Sequence, residues 1–355
     1  MINFLTNGTS LLNNMIQGEP GIIVGPITTF LGYILNAVFE FAWLFSTTGA
    51  HTLGIAIILL TIITRVLLFP LAMKQQKSMV ATQRLMPEIA KIKAKYGNSK
   101  DKATQQKIAM ETQALYVKHK INPLAGCLPA LIQMPIFFAL NFMIRQAFRF
   151  INRIDDIYTQ ISYTLLNMQD DGGFLSGIFL REIAAPKVPE GMQPFDLSVV
   201  ENFQKIIHVM TPEEWDVVLY NVSDNVRYTL ENLLAQKTSI DHFFGINLIE
   251  MPGLSFPGII IPILAVVTTF ASSYLMMKAT AKTATDPNQQ LMQRVMIYMM
   301  PIMMGYFTVT FAAGVGIYWI TITIIQVAQQ YLVNKYYKPK LEAQFDEKDK
   351  IISVK

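Results

Sequence analysis

The chain is poor in cysteine, in charge and in every motif of soluble enzymes. Cys127 is the one thiol in 355 residues, so no disulfide framework can close within the chain and no cysteine-based metal site can be built. Charged residues make up 15%, where soluble domains carry roughly 25%. No phosphate loop, dinucleotide fingerprint, HExxH or Ser/His/Asp arrangement occurs. The four histidines lie outside the apolar runs, with His51 and His119 flanking them. No catalytic residue, cofactor or metal is expected. The stretch MINFLTNGTSLLNNMIQ has no Lys or Arg before its apolar part and no lipidated Cys after a small-residue site, so it makes a poor signal peptide.

What the chain has in quantity is apolar sequence: 52% of residues, with a mean hydropathy of +0.34. Crossing the hydrocarbon core takes about 20 mostly apolar residues. Five segments reach that length, near Leu53–Met73, Ile121–Ile144, Pro257–Met277, Val295–Ala313 and Val315–Val333. The Gly314 region makes the last two a tight helical hairpin. A sixth segment, Ile27–Phe45, places Gly32, Asn36 and Glu40 on one helix face and apolar residues on the other. That pattern suits a helix lying in the interface better than one that spans.

Basic residues near span ends orient the chain. Residues 74–120 hold eleven Lys and Arg against three acids, whereas 149–256 hold seven against fifteen. Residues 1–50 hold two acids and neither Lys nor Arg. Lys278, Lys282 and Arg294 mark the short third connection, and Lys335, Lys338 and Lys340 open the tail. The signs alternate as five spans require. The 74–120 loop, the 278–294 loop and the tail are therefore expected in the cytosol, and the N-terminus and 149–256 outside.

The resulting expectation is an all-α polytopic membrane protein. It has an extracytosolic N-terminus with an interfacial helix (1–49) and two spans carrying a cytosolic helical hairpin (50–148, hairpin 75–119). A helical extracytosolic insert (149–256), three more spans (257–334) and a cytosolic tail (335–355) follow. The hairpin reads as helices over Gln75–Tyr96 and Lys100–His119, broken at Gly97-Asn98-Ser99. Its basicity fits a solvated loop as well as contact with anionic lipid, ribosomal RNA or a translocation partner. In the insert, Val199, Val200, Phe203, Ile206, Ile207 and Met210 form a helical stripe. Thr211-Pro212-Glu213-Glu214 is a helix start, with a capping Thr, Pro at the first position and acids in the first turn.

Arg65 is the most informative residue. It stands 12 residues after Leu53 and 9 before Lys74, about 18 Å and about 13 Å along a helix. A charge at mid-membrane costs at least about 2.5–3.5 kcal/mol, and no Asp or Glu occurs in the five spans. Backbone carbonyls or lipid phosphate could satisfy the guanidinium, but the missing carboxylate favours a wet, cationic cavity that receives anionic groups. In the second span Gln133 and Asn141 are candidate cavity residues. Pro123, Pro129 and Pro135 are explained by kinked packing. Tyr318, Trp319, Thr321, Thr323 and Gln326 are the polar or amphipathic residues of the fifth span, where Trp319 reads most simply as an interface anchor.

Four segments carry a resemblance: GIAIILLTIITRVLLFPLAMKQQKSM, QRLMPEIAKIKAKYG, QALYVKHKINPLAGCLPALIQMPIFFAL, and MIYMMPIMMGYFTVTFAAGVGIYW followed by QQYLVNKYY. Covering about 50–148 and 257–337, the chain resembles the YidC insertases, most closely their five-span Gram-positive form. The resemblance implies a protein that inserts and folds new membrane proteins through a hydrophilic groove open to cytosol and lipid. It also implies Arg65 as the groove cation, Thr61, Gln133 and Trp319 as groove or substrate-contact positions, and a mobile 75–119 hairpin. Implied partners are nascent membrane proteins, the Sec translocon, the ribosome and membrane lipids, with a monomer as the working unit. The tail is short and mixed in charge, which argues against tight ribosome binding through it. Three features depart from the family pattern: two sets of groove residues, and an N-terminus without a lipoprotein Cys joined to a 149–256 loop much longer than in the usual five-span form. Ser272 stands where a Gln is common, and Ile322 and Thr323 replace an Asn pair, so a less polar groove is expected. The competing expectation is an anion-binding secondary transporter that uses Arg65. Such transporters often carry internal repeats, and none is found.

Overall fold

The computed structural model describes residues 21–22, 24–46, 48–97, 101–119, 128–167, 200–280, 287–337, 339–340 and 342–343. The region holding Pro123 and Cys127 lies outside them. The described residues are helical apart from turns and one two-residue hairpin. The helices are α1 (Val24–Trp43), α2 (Thr52–Tyr96), α3 (Lys102–Lys118), α4 (Leu128–Arg145), α5 (Asn152–Leu166), α6 (Val200–His208), α7 (Pro212–Tyr220), α8 (Asp224–Asp241), α9 (Ile260–Thr280), α10 (Pro287–Thr310) and α11 (Ala313–Leu332). Strands β1 (His242–Phe243) and β2 (Ile246–Asn247) pair antiparallel between α8 and α9. A π-helical turn, Val333–Tyr337, extends α11.

Helix α2 runs unbroken for 45 residues, about 68 Å. The sequence predicts a span ending at Met73 and a separate helix from Gln75; the structure joins them. Pro70 and Pro87 lie inside the helix, where each removes one backbone bond. Lys74 to Met79 contains no breaker, and Lys, Gln and Met favour helix, so the membrane segment passes directly into the first arm of the basic hairpin. Asp101 caps α3, its carboxylate accepting from the Thr104 N–H at 3.3 Å. Lys95 Nζ and the Tyr96 hydroxyl then both donate to Glu111, at 3.0 and 2.5 Å, and hold the arms together.

Helices α1 and α2 are long and apolar enough to cross a membrane, and Leu131–Arg145, Ile260–Leu275 and Ile297–Thr310 are shorter apolar stretches. Helix α9 packs on α10 and α11, α11 packs on α2 and α4, and α1 packs on α2 and α4. The polar stripe of α1 turns towards protein rather than water. A Cβ on Gly32 would lie 2.6 Å from Phe150, Asn36 accepts from the Asn152 N–H at 3.0 Å, and Glu40 pairs with Arg153 at 2.7 Å. Phe30, Tyr33, Phe41, Leu44 and Phe45 are exposed on the opposite side.

The insert folds as a small helical cap. Helix α5 buries Ile154, Ile157, Tyr158, Ile161 and Leu165, spaced 3, 1, 3 and 4 apart as one helical face requires. They meet Phe203, Ile206 and Ile207 of α6 and Leu230 and Leu233 of α8 in a cluster continuous with the bundle core. Helix α7 starts at Pro212 under a reciprocal cap: the Glu214 N–H donates to Thr211 Oγ1 at 3.3 Å and the Thr211 N–H donates to Glu214 Oε2 at 2.7 Å.

Candidate functional site

Arg65 sits where two cavities meet, between α2 and the second half of α11. The first, about 650 Å³, is lined on α2 by Arg65, Ala72, Gln75, Gln76 and Met79 and on α9 by Ser272 and Leu275. Arg65 to Met79 is 14 residues, so the cavity follows α2 for about 21 Å towards the hairpin. Helix α11 and the turn after it supply Gln326, Gln329, Gln330 and Asn334. These fall at i, i+3, i+4 and i+8, which is one helix face, and Gln330 Nε2 donates to Asn334 Oδ1 at 2.9 Å. Six side-chain amides thus surround a single cation, and no acid lines the cavity among the described residues.

Arg65 is partly buried. Its Nε is shielded from solvent and finds no hydrogen-bond partner among the described residues. The Tyr318 hydroxyl is near enough to interact with it electrostatically. A buried, unpaired guanidinium N–H costs free energy until an acceptor arrives, and the planar fork suits carboxylate and phosphate oxygens. The arrangement can therefore receive an anionic or carbonyl-bearing group.

Of the residues singled out in the sequence, Arg65, Ser272 and Gln326 line this cavity. The others lie nearer the N-terminal end of α11, packed between helices. Gln133 Nε2 donates to the Tyr318 hydroxyl at 2.5 Å. Trp319 Nε1 donates to Thr269 Oγ1 at 3.0 Å, and its ring meets Phe137 edge-on at 6.2 Å. Thr61 and Thr323 are buried, donating to the Ile57 and Trp319 carbonyls of their own helices. Asn141 is fully buried, and its Oδ1 accepts from the Ala312 N–H at 3.4 Å. The next two amides, Ala313 and Gly314, donate to the Glu250 and Leu248 carbonyls at 2.7 and 2.8 Å. Asn141 and the segment after β2 thereby satisfy the orphan donors at the start of α11. Gln75, Gln76, Gln329, Gln330 and Asn334 were missed by sequence reasoning. Their signal was present: amides recurring at helical spacing in an otherwise apolar helix.

The 60Kd inner membrane protein family matches residues 43–181 and 217–340, and both walls of the cavity fall within the matched stretches. The chain belongs to this family. Its relatives include Membrane protein insertase YidC of Oceanobacillus iheyensis, 29% identical over 315 residues, which cover 87% of each chain. Membrane protein insertase YidC 2 of Bacillus anthracis is 29% identical over 330 residues, 93% of this chain and 88% of its own. Membrane protein insertase MisCA of Bacillus subtilis is 28% identical over 302 residues, 85% and 78% of the two chains. Membership in the 60Kd inner membrane protein family makes the chain a polytopic, all-α protein of the bacterial inner membrane. Residues 182–216, which hold α6 and the start of α7, fall between the matched stretches.

Proposed function

We infer that the chain is a membrane protein insertase that receives new membrane proteins in the Arg65 cavity and works without catalytic chemistry. The observation that carries this is Arg65 itself, a cation whose Nε is unpaired and whose amide-lined cavity holds no acid among the described residues. Five spans cross the membrane, formed by the first half of α2 and by α4, α9, α10 and α11. The α2–α3 hairpin and the tail lie in the cytosol, and the α5–α8 cap outside. Helix α1 lies at the outer interface with its exposed aromatic side towards lipid. In this orientation the first cavity opens from Arg65 towards the cytosol. The segment around Asn141, Glu250 and Ala312 closes the outer end.

The physical mechanism is electrostatic and then hydrophobic. Arg65 and the surrounding amides lower the cost of bringing a short acidic segment inward, because charge in a preorganised polar site is less penalised than in hydrocarbon. The substrate's own apolar segment then partitions into lipid and carries the step to completion. Gln133, Trp319, Thr61, Asn141 and Thr323 hold the helices that shape the cavity, and Ser272 contributes directly to its wall. The Sec translocon and the ribosome are proposed partners, and a monomer is the proposed working unit.

Complementation of an insertase-depleted cell tests this. Arg65→Ala is expected to fail for substrates with acidic external tails, and Arg65→Lys to retain partial activity because the charge remains while the fork is lost. Full insertion of acidic-tailed substrates by Arg65→Ala would refute the proposed role of Arg65.

A further inference from the structure

The second cavity on Arg65 has a different chemistry from the first. It occupies about 720 Å³ and shares Arg65, Ala328, Gln329 and Val333 with the first. Its walls are apolar, with Ile62, Val66 and Phe69 on α2 facing Ile325 and Leu332 on α11. Its polar groups are Arg65, Gln329, the Tyr336 and Tyr337 side chains and Lys340. Two cations stand among these lining residues and no acid does. Lys335 adds a third positive charge close by, its Nζ 5.2 Å from the centre of the Tyr336 ring and 5.8 Å from that of Tyr331.

A site with apolar walls and cations but no anions matches a ligand with an anionic head and apolar chains. We propose that this cavity binds an acidic phospholipid from the cytosolic leaflet, with its phosphate near Lys340 and the tyrosines and its chains along Val66, Phe69 and Leu332. Two observations favour lipid over a substrate helix. Val66, Phe69, Leu332 and Tyr336 are exposed, and in a membrane protein such surfaces meet lipid. Tyr331, Tyr336, Tyr337, Lys335 and Lys340 cluster at the end of α11, where aromatic and basic residues anchor a span at headgroup level.

The inference rests on the orientation proposed above, but its test needs no substrate, so lost lipid labelling and lost insertion are separate results. The full chain is reconstituted with photoactivatable phosphatidylglycerol or phosphatidylcholine, and crosslinks are mapped by mass spectrometry. Phosphatidylglycerol is expected to label the 62–70 and 332–337 segments about fivefold more than phosphatidylcholine, the preference that one basic residue confers near an anionic surface. Lys340→Glu should abolish the preference and Lys340→Arg should keep it, with a thermal melt confirming that both variants fold. Equal labelling by the two lipids, or an unchanged preference in Lys340→Glu, overturns the proposal. Removal of the label by millimolar inorganic phosphate would reveal a simple anion site, and its displacement by a co-reconstituted substrate segment would assign the cavity to substrate. Either result also overturns the lipid assignment.

Discussion

Asn141 and Arg65 are both polar residues in apolar helices, yet they do different work. Among the described residues Arg65 keeps an unpaired Nε beside open space, whereas Asn141 is fully buried, accepts the Ala312 N–H at the start of α11 and leaves its own Nδ2 without a partner. Asn141→Leu would leave that N–H without an acceptor, at a cost of about 1–3 kcal/mol. A lowered thermal midpoint of the purified protein, with Asn141→Asp milder because it keeps an acceptor, is the expected outcome. If Asn141→Leu melts like the parent but inserts poorly, Asn141 acts on substrate and the capping account fails. Gln133 and Tyr318 offer a second residue-level check. A double-mutant cycle over Gln133→Leu and Tyr318→Phe should give a coupling of about 0.5–1.5 kcal/mol, and a coupling near zero would show that the 2.5 Å bond contributes nothing.

Among the elements, α2 differs most from its sequence expectation and α7 least. Residues 211–214 announce the start of α7 because all its determinants lie within four residues, and the reciprocal cap is present. Thr211→Ala should cost about 1 kcal/mol, seen as faster hydrogen exchange over 212–220; unchanged exchange would count against the cap. The fusion of the first span with the hairpin arm was hidden because the change in composition at Met73 looks like a boundary. Composition reports solvent, whereas helix continuity depends on backbone bonding, which Lys74 to Met79 can sustain. The hairpin closes instead through Glu111, which receives Lys95 and Tyr96 and whose carboxyl is held below its usual range by those two donors. Glu111→Ala is expected to speed exchange along α3, and rising salt should do the same in the parent because the pair is exposed.

At the scale of the whole molecule, a cap built on α5, α6 and α8 shares one apolar core with the membrane bundle. Inside it, His208 Nδ1 lies 3.3 Å from the Tyr158 hydroxyl. Burial, then Lys237, then Arg145 push the His208 imidazole down to about 4. Lys237 stays charged: burial opposes its charge, but Asp241, whose Oδ2 lies at 2.8 Å, and Glu250 outweigh that. The folded cap holds His208 neutral while the unfolded chain binds a proton below about pH 6.5. Stability is thus fully present above that pH and falls as pH drops towards 4, by roughly 3 kcal/mol at most. Thermal midpoints between pH 7 and 4 should show this decline, flattened in His208→Gln; parallel curves would dismiss the assignment.

Sequence alone determined the features whose causes are local. The apolar runs, the helical stripe around Phe203 and Ile206 and the cap at Thr211 all depend on residues a few positions apart, and the isolation of Arg65 follows from the composition of the five apolar runs. Tertiary structure decided which polar groups face open space. Gln133 and Asn141 are taken up by Tyr318 and Ala312, 185 and 171 residues away, while Gln329, Gln330 and Asn334 are left lining the space beside Arg65. A side chain's type and helical phase say which way it points along its own helix. What it meets there depends on which other helix packs against that face, and that is a property of the assembled bundle.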